Sequence, residues 1–208
     1  MDITVNPRLF YIAAFIPFFL LSLGIHEFAH AFSAYKLGDD TAKQHGRLTL
    51  NPIKHLDLFG SIIIPAISLI SGYAVIGWAK PVPVNPNNFK NPRRDDIIVS
   101  AMGPISNLIF AFVIFVFAKN FGGLKSDLFN YLYMPFFFNV FLFYFNLLPI
   151  PPLDGSHVLN NLLPAELSHY YRSAAKWSLV ILMIFIYSPL WKYFISIVDV
   201  TARMILNL

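Results

Sequence analysis

From Leu9 to Ile25 the chain is almost wholly apolar, and this run ends in His26-Glu27-Phe28-Ala29-His30. A run of that kind approaches the ~20 residues a helix needs to cross bilayer hydrocarbon. Lipid offers no hydrogen bonds to the backbone, so a single apolar run must satisfy its own as a helix. Ionisable side chains in such a helix are costly and mark functional positions facing protein or a water-filled cavity. Residues four apart share a helix face, so His26 and His30 point the same way with Glu27 beside them. H-E-x-x-H is the spacing at which two imidazoles hold one zinc ion while the glutamate handles a proton.

Composition extends this reading to the whole chain. Of its 208 residues 57% are hydrophobic and 12% are charged, against ~25% charged in a soluble domain. The sequence predicts an all-α polytopic membrane protein, one membrane-embedded domain over 1–208, with about four to five transmembrane helices plus a re-entrant or β-hairpin membrane element. The HExxH helix is expected over 9–37, the re-entrant or membrane-associated element over 59–84, and further helices over 97–119, 131–155 and 177–198. The first run carries the histidine motif and no small-residue cleavage site, so it reads as a retained helix and not as a signal peptide. A net charge of +4 is modest and marks topology, not nucleic-acid binding. Without cysteine there is neither a disulfide nor a thiolate zinc site.

Loop charge gives the orientation. Asp39 to Asp57 carries Lys43, Arg47 and Lys54, and Lys80 to Arg94 carries Lys80, Lys90, Arg93 and Arg94. Basic loops lie on the cytoplasmic side. Phe59 to Trp78, between them, is about long enough to span but is interrupted by Pro65, Gly72 and Gly77. With both flanks cytoplasmic it is expected to re-enter, which lipid permits only where protein or a cavity covers the backbone. Lys80 to Pro86 is too proline-rich for a helix and reads as extended. The 97–119 helix then runs outward, 121–130 is an outside loop, and the next helix returns to the cytoplasmic side.

Catalytic zinc takes three protein ligands and keeps an open position. The acidic and imidazole groups near apolar segments are Asp57, Asp127, Asp154, His55, His157 and Asp199. Asp154 stands out among them. It follows Pro149, Pro151 and Pro152, which forbid regular helix, and precedes Gly155, which permits an unusual turn. Segment parity also returns it to the side of His26 and His30. The competing reading of Asp154 is a helix N-cap.

Three motifs carry a family resemblance: His26-Glu27-Phe28-Ala29-His30, Gly103-Pro104-x-x-Asn107, and Asn146-Leu147-Leu148-Pro149-Ile150-Pro151-Pro152-Leu153-Asp154-Gly155. Together they make the chain resemble the site-2 proteases, intramembrane zinc metalloproteases, in their small prokaryotic form without a PDZ domain. Gly46 to Pro52 and Gly77 to Val84 resemble the same subgroup, while Ser156 stands where a second glycine is usual. The resemblance implies one zinc ion per chain held by His26, His30 and Asp154, with Glu27 as the catalytic base. It implies that Asn146 binds the substrate backbone or oxyanion, and that a membrane-associated β element, here around Val75 to Val84, pairs with substrate. It further implies regulated intramembrane proteolysis of transmembrane proteins by a multi-pass protein of the cell membrane, embedded in the lipid bilayer with its site toward the cytoplasm. A zinc transporter would need ligands strung across the membrane and often a repeat. One cluster near one face, with a glutamate beside a ligand, favours hydrolysis over transport or a non-catalytic scaffold. Asn107 reads as a helix-packing residue, Phe136 to Phe145 as lipid-facing or packing surface, and His45, His55, His157 and His169 as loop residues.

Overall fold

The computed structural model describes residues 7–64, 67 and 79–208. The described helices are α1 (Pro7–Lys36), α2 (Thr41–Gln44), α3 (Pro92–Phe121), α4 (Asp127–Asn146), α5 (Asp154–Leu162), α6 (Ala165–Ala174), α7 (Ser178–Tyr187) and α8 (Leu190–Leu206). No β-strand occurs among the described residues. Three stretches are long and apolar enough to cross a membrane: residues Phe15–Lys36 of α1, then α3 and α4. A fourth would be the bent pair made by Ala165–Tyr187 and α8, which meet at 74°.

The helix ends follow local chemistry. Pro92 opens α3 in the first turn, where its missing N–H costs nothing, and Asp95 sits in the same turn. Ser126 caps α4 by accepting from the Phe129 N–H, with Asp127 following at the positive end of the helix. The chain leaves α4 at Asn146 and does not resume helix until Asp154. The segment expected over 131–155 is two helices joined by a turn, broken where Pro149, Pro151 and Pro152 were read as forbidding regular helix, because they cannot supply helical N–H groups. The helix expected over 177–198 is likewise two, α7 and α8. Ser188 is extended (ψ 163°), as the residue before a proline prefers, and Pro189 precedes α8.

Contacts fix the packing of the long helices. Val99, Gly103 and Asn107 of α3 lie successively against His30, the His26–His30 pair, and Ser22 with His26. These two helices are therefore antiparallel. Asn139 of α4 reaches Asn107 and Ser22, so α4 joins the same bundle. Away from the histidines, Ala111, Ile114, Phe115 and Ala118 of α3 pack with Leu132, Phe136 and Val140 of α4 and with Phe194, Val198 and Ala202 of α8. The alanines let the backbones approach closely, which in lipid matters more than apolarity.

Half of the expected 59–84 element falls on residues 65, 66 and 68–78, outside the described residues. Its beginning, Leu58–Ile63, is a π-helical turn whose first amides, Phe59 and Gly60, donate to the Asp57 carboxylate. Residues 79–85 have no regular secondary structure and are not paired as a strand among the described residues. The Lys80 N–H donates to the His55 carbonyl at 2.9 Å. The two flanks of this stretch thus meet.

Candidate metal centre

His26, Glu27 and His30 are all buried, with 7–8% of their surface exposed. The helical spacing puts the two imidazoles in edge contact, Nε2 to Nε2 3.1 Å. The turn after α4 brings Asp154, the first residue of α5, to the same point. Its Oδ2 is 3.1 Å from His26 Nε2 and its Oδ1 3.3 Å from His30 Nε2. Gly155 makes this approach feasible. A Cβ there would lie 2.2 Å from the Leu147 carbonyl oxygen, so α5 could not start against the end of α4. The sequence suggested an unusual turn at Gly155, yet its φ is not positive; close approach is what requires glycine.

The far side of each imidazole is also engaged. His30 Nδ1 is 2.8 Å from the Val99 carbonyl, which can only accept, so Nδ1 carries a proton and in the neutral ring Nε2 keeps the lone pair. His26 Nδ1 is 2.7 Å from Asn107 Oδ1. Beneath the pair lies Gly103, where a Cβ would fall 2.2 Å from His30 Nε2 and 2.8 Å from His26 Cε1. The sequence marked Gly103 only as part of the Gly103-Pro104-x-x-Asn107 motif and did not place it beneath the histidines. The available signal was a glycine inside a predicted helix, which costs ~1 kcal/mol against alanine and so calls for a packing reason.

One ligand atom from each of His26, His30 and Asp154 lies within 4.8 Å of the others. Asp154 Oδ2 is buried with no hydrogen-bond partner, although His26 Nε2 is 3.1 Å away. A lone pair facing a carboxylate is not a hydrogen bond. Two imidazole nitrogens and a carboxylate converging without a donor make a hole for a cation, and nitrogen with carboxylate oxygen is a donor set that suits zinc.

Glu27 has a partner of its own. Its Oε2 accepts the Val82 N–H at 2.8 Å, so residues 79–85 form a strap across the base. The strap is held at both ends. Arg47 Nη2 donates to the Lys80 carbonyl at 2.6 Å, and the Asn85 N–H donates to Asp39 Oδ2 at 2.7 Å. Asp39 is fully buried and also accepts from Thr41 and Asn88. Burial works to raise its pKa, but these donors outweigh it and hold the carboxyl below its ordinary value.

Asn146 is the candidate the structure leaves apart from the cluster. Its amide donates to Leu142 O within α4, at 3.1 Å, and makes no hydrogen bond to the other candidate residues. Of the histidines read as loop residues, His55 is buried and bonds the Thr49 carbonyl. His157, exposed on α5, faces Asp96 at 3.8 Å, and that carboxylate holds its pKa above the ordinary value.

The profile described as Peptidase family M50 matches residues 14–124 and 121–188. A Bacillus subtilis protein named "Putative zinc metalloprotease YwhC" is 42% identical over 197 residues, covering 89% of this chain and 87% of that protein. A Mycolicibacterium smegmatis protein named "Putative zinc metalloprotease Rip2" is 31% identical, covering 94% of this chain and 76% of that one. No solved structure matches the chain. A profile match over most of the sequence, relatives of this identity, and a His–His–Asp cluster whose two histidines are buried on an apolar helix together place the chain in peptidase family M50, the site-2 protease family, as a zinc metalloprotease with several helices long and apolar enough to cross a membrane.

Proposed function

We propose that this protein is an intramembrane endopeptidase that hydrolyses peptide bonds of transmembrane substrates within or near the bilayer, in regulated intramembrane proteolysis, with zinc held by His26, His30 and Asp154. The observation that carries this reading is the convergence of three donorless ligand atoms, buried among apolar helices, beside the buried carboxylate of Glu27. Zinc, when bound there, supplies Lewis acidity toward a water and a peptide carbonyl.

The chain's own groups do the rest. Glu27 is the general base: one oxygen is fixed by the Val82 amide, and the other takes the proton of the attacking water. Water oxygen bonds to the carbonyl carbon, the C–N bond breaks, and Glu27 passes its proton to the leaving amine. Asn146 is our candidate for contact with the substrate backbone or oxyanion, in keeping with its place at the end of α4. A transmembrane helix must unwind before its carbonyl can react, and the stretch around Val75 to Val84 is the candidate edge for holding it as a strand. The 59–78 stretch is read as re-entrant, which the meeting of its flanks supports. The basic loops support an orientation in the cell membrane with the site toward the cytoplasm.

The test is cleavage of a membrane-helix substrate in detergent or liposomes. Glu27→Gln should retain zinc and lose ~10²–10⁴-fold in rate, the span expected of a general base. Undiminished cleavage by that variant would sink the mechanism.

A further inference from the structure

Ser22, Asn107 and Asn139, one from each of α1, α3 and α4, are fully buried (0% exposed) and joined to His26. We propose that Asn107, held by Ser22 and Asn139, is a positioning residue for the metal: it accepts the Nδ1–H of His26 and so fixes that imidazole with its Nε2 lone pair turned toward His30 and Asp154. This rests on the reading of His26 as a zinc ligand and adds what orients it.

Two backbone carbonyls fix the direction of every bond in the chain. Asn107 Nδ2 is 3.2 Å from the Ser22 carbonyl, which can only accept, so the amino end of the amide faces α1 there. Its oxygen therefore faces His26 Nδ1 at 2.7 Å. An amide oxygen cannot donate, so the proton is on Nδ1. Asn139 is fixed in the same way, its Nδ2 lying 2.9 Å from the Pro135 carbonyl and 2.8 Å from Ser22 Oγ. Its oxygen is then left for the second hydrogen of Asn107 Nδ2, at 3.0 Å. The Ser22 hydroxyl donates onward to the Phe18 carbonyl at 2.7 Å. Each amide hydrogen has an acceptor. Reversing either amide would set hydrogen against hydrogen and oxygen against oxygen where no water can repair the mismatch.

Polar side chains between membrane helices often serve only to hold the helices together. Two features go beyond packing. The chain ends on a ring nitrogen of a candidate ligand, and its polarity selects the tautomer that metal binding needs. Metal-bound histidines generally donate their other N–H to such an acceptor, and losing it costs 10–100-fold in affinity or activity.

The experiment uses the full-length protein in detergent, stripped of metal and labelled with 15N-histidine, with the His26 signals identified by their loss in His26→Gln. Wild type should show His26 protonated at Nδ1 and bare at Nε2. Asn107→Leu should lose that single pattern and bind zinc ~10–100-fold more weakly in competition with a chelator, with helix content kept. Asn139→Leu, which leaves the His26 contact but frees the amide to turn, should weaken zinc in the same direction by less. A His26 protonated at Nε2 in wild type overturns the proposal. So does an Asn107→Leu protein that melts lower yet binds zinc as tightly, since that is packing alone. If Asn107→Leu does not fold, the wild-type spectrum decides by itself. Wild-type zinc affinity in His26→Gln would show instead that the ligand assignment has failed, and the positioning role with it.

Discussion

Gly103 shows how much one missing side chain can control. The two imidazoles sit where its Cβ would be, so Gly103→Ala must push His30 or His26 aside. We expect that variant to keep its helix content by circular dichroism and to bind zinc at least ~10-fold more weakly, a loss of the size seen when a ligand loses its support. Normal zinc affinity would mean the helices can separate freely at this point. Asp154 supports a second prediction. Asp154→Ala removes the carboxylate whose Oδ2 has no hydrogen-bond partner. Metal analysis should then show zinc occupancy falling well below one ion per chain, and unchanged occupancy would remove Asp154 from the ligand set.

At the scale of elements, the strap across Glu27 is the piece with the most to lose. Of residues 81–83, only Val82 has an amide hydrogen, because Pro81 and Pro83 have none, and that hydrogen goes to Glu27. Asp39 ties down the far end through the Asn85 and Asn88 donors. Its folded pKa lies below its ordinary value of 3.8. This contribution to stability is therefore complete above that value and is lost as pH falls through the lowered folded one. Asp39→Asn turns an acceptor of several hydrogen bonds into a partial donor and should destabilise the protein by roughly 1–3 kcal/mol per donor left unpaired. Hydrogen exchange should report faster exchange at the Val82 and Asn85 amides. Unchanged protection there would show that the strap is held from elsewhere.

At the scale of the whole molecule, the site is the place where three helices end or begin on one side: the last turns of α1, the first turns of α3, and the turn after α4. Ile109, Val113 and Phe117 of α3 and Met134 of α4 are exposed, as suits surfaces that face lipid. The chain has no cysteine, so single cysteines report topology cleanly. Exposed Lys43, Lys90 and Lys125 are suitable positions. In oriented vesicles, Lys43→Cys and Lys90→Cys should react with an impermeant maleimide from the cytoplasmic side and Lys125→Cys from the other. Lys43→Cys and Lys90→Cys reacting from opposite sides would mean that 59–78 crosses the membrane.

The sequence by itself determined the class and named the three residues that the fold brings together. Long apolar runs leave lipid-crossing helices as the economical structure, the four-residue spacing of His26 and His30 puts them on one face, and prolines before Asp154 end α4 where an acid can turn back. These are local rules, and local rules are legible in a chain. Tertiary structure decided what surrounds the cluster. Asn107 read as packing because its partner, His26, lies 81 positions away, and nothing in its own neighbourhood names that partner. Gly103, Val99 and Val82 matter through a missing Cβ, a carbonyl and an amide, groups whose roles depend on what the fold sets opposite them. The same holds for the break at Pro189: the proline was visible, but only packing could turn it into a bend of 74°. A ligand set can be read from side-chain chemistry, whereas its support is made by whichever backbone the fold brings alongside.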